Sequence, residues 1–171
     1  MLGALLPQEA KAQTASISVS PTSGNEGAAG SNTVAATVTV SLTSTPSENV
    51  AAIICFSGTA TERGDYTVIN LNNTNELGGR SETRAECTGI SYNRILFTGD
   101  TSNSFRIQVI GDNTIENDET IVATITSVEG SDLIVNIDST ANSATFTILN
   151  DDAPDTTAPT VVDVEYQTPS G

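Results

Sequence analysis

Apolar residues take every second position in several short runs of this chain. Val34, Ala36, Val38, Val40 and Leu42 do so between Thr33 and Leu42. Phe105, Ile107 and Val109 alternate over Phe105 to Ile110, and Ala144, Phe146 and Ile148 over Ala144 to Leu149. A period of two places such residues on one face of a pleated strand. Ile17 and Val19 mark a shorter strand over Ser16 to Ser20. Val50 to Phe56 is more continuously apolar, which suits the centre of a sheet. Tyr66 to Leu71 reads as a short edge strand, and Arg94 to Phe97 and Thr120 to Val128 complete the set. Helix-forming patterns of Ala, Leu, Glu and Lys are missing. About seven short strands separated by turn signals predict an all-β fold, a two-sheet antiparallel sandwich.

The connections carry their own signals. Pro21 to Asn32 is rich in Gly, Ser and Asn, hence loop, and it holds Glu26. Pro46 to Asn49 and Gly58 to Asp65 read as turns, with Gly58 and Gly64 expected at positive φ. Asn72 to Ile90 has no sustained period and reads as an insertion, a ribbon tied down by Cys87. Residues 1–14 read as a leader. Ala10-Lys11-Ala12 has the small-x-small form of a signal-peptidase site. The apolar stretch before it is short and has no basic residue ahead of it, as in a truncated signal; the alternative is a leader of no consequence. Residues 15–153 form the sandwich. Residues 154–171 begin with a linker of Pro, Asp and Thr, and Val161, Val162, Val164 and Tyr166 then open a further domain. No run approaches the 18 apolar residues of a membrane span.

Charge sharpens the picture. Six Lys and Arg face 21 Asp and Glu in 171 residues, a net charge of −15. So acidic a chain is a poor partner for nucleic acid, whose affinity comes from neutralised phosphates, or for anionic membranes. Many acids stand singly (Glu48, Glu76, Glu129, Asp132) and serve solubility. Two groups do not. Gly111-Asp112-Asn113-Thr114-Ile115-Glu116-Asn117-Asp118-Glu119 follows one alternating strand, and Asn150-Asp151-Asp152 follows another. If these loops meet at one end of a sheet, like charges converge. Two unit charges at 4 Å repel by about 4 kcal/mol at an effective dielectric near 20. A hard divalent cation with oxygen ligands removes that repulsion, and calcium is the first candidate.

Other chemistries are narrowed by composition. The chain has no His, which removes Ser-His-Asp and Cys-His catalysis and His-ligated zinc. Two Cys, at 55 and 87, cannot build a four-cysteine site. In an exported chain they form a disulfide closing a loop of about 32 positions, worth roughly 3–4 kcal/mol; otherwise one is a buried thiol and the other an exposed one.

Six short pieces in order resemble the Calx-beta domain: Glu26-Gly27; Gly58-Thr59-Ala60; Gly64-Asp65-Tyr66; Ile95 to Asp100; Gly111-Asp112-x-x-x-Glu116-x-Asp118-Glu119; and Ala144-x-Phe146-x-Ile148-x-Asn150-Asp151-Asp152. The resemblance spans about residues 15–153. It implies an immunoglobulin-like sandwich that binds calcium in loops at one end. It implies metal ligands from Glu26, Asp65, Asp112, Glu116, Glu119, Asp151 and Asp152, with the main-chain oxygen of Thr114 and the side chain of Asn150 as further candidates. Asp118 aligns with an acid that need not bind metal, and Asp65 has a turn-capping alternative. The strongest calcium sensors of the family carry an Asp at the positions of Gly111 and Asn150. Fewer or weaker ions are therefore expected, in the range of about 10⁻⁴–10⁻³ M typical of extracellular modules.

The reading that follows is a non-enzymatic, calcium-stabilised structural or adhesion module of a larger secreted or cell-surface protein. Its expected partners are neighbouring domains of the same chain and a protein or carbohydrate ligand. The alternatives are a calcium-sensing regulatory domain of a transporter or signalling protein, and an accessory module of a secreted enzyme. Paired acids such as Asp112 and Glu116 also occur in glycoside hydrolysis, but three Tyr, four Phe and no Trp are few aromatics for a sugar cleft.

Overall fold

A computed structural model of the chain describes residues 12–70, 87, 92–130 and 134–154. Most of the expected leader, the insertion and the C-terminal tail lie outside them. Ten strands make up the described part. They are β1 (Gln13–Ser20), β2 (Ser23–Asn25), β3 (Asn32–Leu42), β4 (Val50–Gly58), β5 (Tyr66–Asn70), β6 (Tyr92–Phe97), β7 (Ser102–Ile110), β8 (Glu119–Gly130), β9 (Val135–Ile137) and β10 (Ser143–Leu149). Two sheets of five result, ordered β5-β7-β3-β1-β9 and β2-β10-β8-β4-β6. Among the described residues no helix is long and apolar enough to cross a membrane.

The alternating runs turn their apolar side inward, as their period requires. Val38, Val40, Phe105, Ile107 and Val109 from one sheet meet Val50, Ile54, Phe56, Phe97, Ile121, Ile125 and Phe146 from the other. Phe56 and Phe105 meet edge to face across the core, with ring centroids 5.8 Å apart, a favoured geometry for the ring quadrupoles. β4 lies between β8 and β6, the inner position its apolar run suits. β5 is an edge strand.

The structure departs from the sequence reading in three places. Two three-residue strands join the eight runs named from the sequence and bring the described strands to ten. β2 falls in the expected loop Pro21 to Asn32 and runs parallel to the end of β10. β9 runs parallel to the start of β1. Neither strand is long enough to show a period, and each exists because a longer neighbour offers a free edge. β1 also starts at Gln13, so the last two residues of the expected leader belong to the sandwich, and Gln13 is buried. In the β4–β5 turn, finally, Arg63 rather than Gly64 takes positive φ, at 69°.

Register places four connections at one end of the sandwich. Asn32 at the start of β3 faces Ile110 at the end of β7. Tyr66 at the start of β5 faces Val109. Gly58 at the end of β4 faces Ile121, and Glu119 at the start of β8 faces Ile148 of β10. The β2–β3, β4–β5 and β7–β8 loops and the exit from β10 are therefore neighbours, and they carry the residues singled out above.

A carboxylate cluster at one end of the sandwich

Main-chain bonds tie these four segments together before any side chain acts. Glu26 N–H donates to Leu149 O at 2.9 Å, Gly111 N–H to Ser31 O at 3.0 Å, Gly30 N–H to Gly111 O at 3.1 Å and Ile110 N–H to Asp65 O at 2.9 Å. The approach is close enough to require Gly111. A Cβ there would collide with the carbonyl oxygens of Gly27 and Ala28 and with Ser31 Oγ. At the other side, Gly58 has φ 122°, and a Cβ would strike Thr120 O. Both glycines let two backbones meet where a side chain would hold them apart.

The acids then converge. Carboxylate oxygens of Glu26, Asp112 and Glu116 lie within 4.8 Å of one another, and so do those of Asp65, Glu116 and Glu119. Glu116 belongs to both groups and stands between them. Glu26 is only 4% exposed, and its Oε1 accepts the Asp112 N–H at 3.1 Å. Asp65 does two things: its Oδ2 accepts the Thr61 N–H, capping the turn, while its carboxylate joins the second group. Glu119 is the first residue of β8, not part of a loop, and the ladder holds its position.

The other residues named from the sequence lie around this centre. Asp151 is exposed, and its Oδ1 accepts the Gly27 N–H at 2.9 Å, bracing the β2–β3 loop. Asp152 is half-buried; its Oδ2 is buried with no hydrogen-bond partner, and its charge is felt at Glu26. Asn150 bridges two neighbouring stretches of chain. Its Nδ2 donates to Glu116 O at 2.6 Å, and its Oδ1 accepts the Asp152 N–H at 2.9 Å. Asp118 is exposed and accepts the Asn150 N–H at 3.1 Å. Thr114 N–H donates to Asp112 Oδ1. Sequence reasoning missed Ser31 and Asn113. Asn113 Oδ1 accepts the Ala29 N–H at 3.3 Å, and Ser31 Oγ is buried without a partner beside Gly27 and Gly111. The only sequence signal for either was a polar residue in a glycine-rich or acidic loop.

The electrostatics are those of like charges held together. Desolvation, then the charge and hydrogen bond of Asp65, then Glu116 and Glu26 push the Glu119 carboxyl up to about 7. Burial, opposed by the Asp112 N–H and aided by the charges of Asp112, Glu116 and Asp152, raises Glu26. Among the described residues no Lys or Arg forms an ion pair with the cluster; Arg94 pairs with Glu129 elsewhere. The arrangement can bind a hard cation through oxygen atoms, or hold protons in its place.

No family model matches the chain, and no curated protein matches it. Among solved structures, the apo form of the Calx CBD1 domain is similar at a TM-score of 0.49 and 19% identity, over 80% of this chain and 99% of that one. The CaCohA2 domain of Clostridium acetobutylicum in solution is similar at 0.41 and 15%, over 81% and 91%. A complex containing CaCohA2, determined at pH 5.5, is similar at 0.40 and 16%, over 80% and 99%.

Proposed function

We propose that this chain is a calcium-binding, non-enzymatic β-sandwich module of a larger secreted or cell-surface protein. One observation carries the reading: five carboxylates, four from three different connections and Glu119 from the start of β8, meet in two groups that share Glu116, with no cationic side chain paired to them among the described residues. Such a cluster costs energy unless a positive charge joins it. The donor set is all oxygen, and the buried, unpartnered Asp152 Oδ2 fits the same need. Calcium accepts six to eight oxygen ligands in irregular geometry, whereas magnesium demands a near-ideal octahedron and sheds water reluctantly. Glu26, Asp65, Asp112, Glu116 and Glu119 would hold the ion, with Asp152 behind Glu26 and Asp151 beside Gly27. The Cys55–Cys87 disulfide, with Cα atoms 5.3 Å apart, supports an oxidising compartment. Asp151 and Asp152 end the sandwich, so a bound ion would also stiffen the junction to the residues beyond 154.

The test is a thermal melt in chelator and in 10 mM calcium. A dissociation constant of 10⁻⁴–10⁻³ M adds about 1.4–2.7 kcal/mol at that concentration. For a domain of this size that is roughly 3–10 °C. Identical melting in both solutions removes the proposal. Micromolar affinity with a large conformational change in calorimetry and scattering would replace the structural role with a sensing one.

A further inference from the structure

The β7–β8 connection contains a stretch that no ladder holds. Residues 113–118 belong to no strand, and among the described residues they make no main-chain to main-chain hydrogen bond. The last rung between β10 and β8 pairs Ile148 with Glu119. Four bonds through side chains fix the stretch instead. Asn113 Oδ1 accepts the Ala29 N–H, and Thr114 N–H donates to Asp112 Oδ1. The other two both come from Asn150, the first residue after β10. Its N–H donates to Asp118 Oδ1 at 3.1 Å, and its Nδ2 donates to Glu116 O at 2.6 Å. Its Oδ1 accepts the Asp152 N–H at 2.9 Å, which closes the turn that carries Asp151 and Asp152.

We infer, resting on the calcium reading above, that Asn150 is a positioning residue of the carboxylate cluster: it sets Glu116 and Asp152 for a cation by hydrogen bonding, not by ligating the ion. Both of its side-chain partners have fixed polarity. A main-chain carbonyl only accepts and a main-chain N–H only donates. The side chain between Glu116 O and the Asp152 N–H must therefore offer one donor and one acceptor. A primary amide does so, whereas an ionised carboxylate of the same shape is acceptor only. Asp at this position would keep the bond to the Asp152 N–H and lose the one to Glu116 O. It would also set a negative oxygen against that carbonyl. Glu116 feels the loss most, because its carboxylate serves both groups of three. By charge alone an added acid would strengthen a calcium site, so the two effects have opposite signs.

Calorimetric titration of calcium into the intact, oxidised chain and its variants separates them. Asn150→Asp should weaken binding about 10–100-fold, although it adds a charge. Equal or tighter binding overturns the inference and leaves the calcium reading in place. A wild-type chain that takes up no calcium removes that reading and the inference with it. Asp118 supplies an independent pair of variants. Asp118→Asn loses the charge but keeps an acceptor for the Asn150 N–H, and Asp118→Ala loses both. The alanine variant should bind several-fold more weakly than the asparagine variant; equal affinities overturn the role. Ile54→Ala, in the core and outside the cluster, should leave calcium affinity unchanged, and a matching loss there would reduce the Asn150 effect to general destabilisation. NMR in chelator gives a readout without metal: a scalar coupling across the hydrogen bond from Asn150 Nδ2 to the Glu116 carbonyl carbon. Its absence in the wild type overturns the inference. If Asn150→Asp does not fold, the Asp118 pair and this coupling decide.

Discussion

Glu116 is the residue on which the cluster turns, because its carboxylate is common to both groups. Glu116→Gln keeps the shape and removes one charge. The calcium-dependent rise in melting temperature should disappear, while the melt in chelator stays level or moves up as repulsion falls. Retention of the full calcium response in this variant would place the ion elsewhere. Gly111 illustrates a different lesson. In the sequence it looked like a missing acid, the place where stronger calcium binders have Asp. In the fold the carbonyls of Gly27 and Ala28 and the hydroxyl of Ser31 occupy the space a side chain needs. Gly111→Ala should cost about 1–3 kcal/mol by overpacking, read as a shift in urea midpoint. It should also weaken calcium binding, because the β2–β3 loop that carries Glu26 must move aside. An undisturbed midpoint would mean that the loop yields freely.

Among the elements, β4 shows how far a hydrophobic pattern reaches. Its continuous apolar run placed it correctly inside a sheet, but could not say what lay on its second face. That depends on an irregularity in pairing: Ile54 faces Ile125 while Ile53 faces Ser127, so the register slips by one. Beyond the slip Val128 packs toward the core and Ser127 faces outward with Ile53. A period-two reading of β8 would have put Ser127 inside. Removing the disulfide that marks this outer face, with Ser at both 55 and 87, should lower stability by about 3–4 kcal/mol from loop entropy. Equilibrium urea unfolding of the double variant checks this, and a loss below about 1 kcal/mol would mean that the unfolded chain is already restrained. Ile54→Ala, in the same strand but facing the core, should cost about 2–5 kcal/mol through its cavity.

For the molecule as a whole, the crowding of acids makes stability depend on pH. A carboxyl whose pKa rises on folding holds its proton more tightly in the folded chain. Glu119 rises from 4.5 to about 7, and Glu26 rises too. The stabilising contribution of Glu119 is complete below about pH 4.5 and fades as pH climbs through 7, and that of Glu26 is likewise lost as pH rises. In chelator the melting temperature should therefore fall from pH 5 to pH 7.5. In calcium the fall should be smaller, because the metal takes the place of the protons. The gap between the two curves should widen with pH, and parallel curves would separate the cation from these carboxyls.

Local chemistry was enough to specify the longer strands, the turn positions, the acidic end segments and the all-β class, because alternation and glycine act through near neighbours. At 72–90 and beyond 153 the sequence shows only a break in that pattern. Three things depended on residues far apart in the chain. The short strands β2 and β9 form only against edges supplied by β10 and β1. Glu26 becomes buried only when the segment at 111–112 packs over it, some 86 positions away. The two carboxylate groups exist only because four chain segments exit the sandwich at the same end. Each is a consequence of register between distant strands, and register is settled by which apolar faces meet in the core, a choice no single stretch of sequence contains.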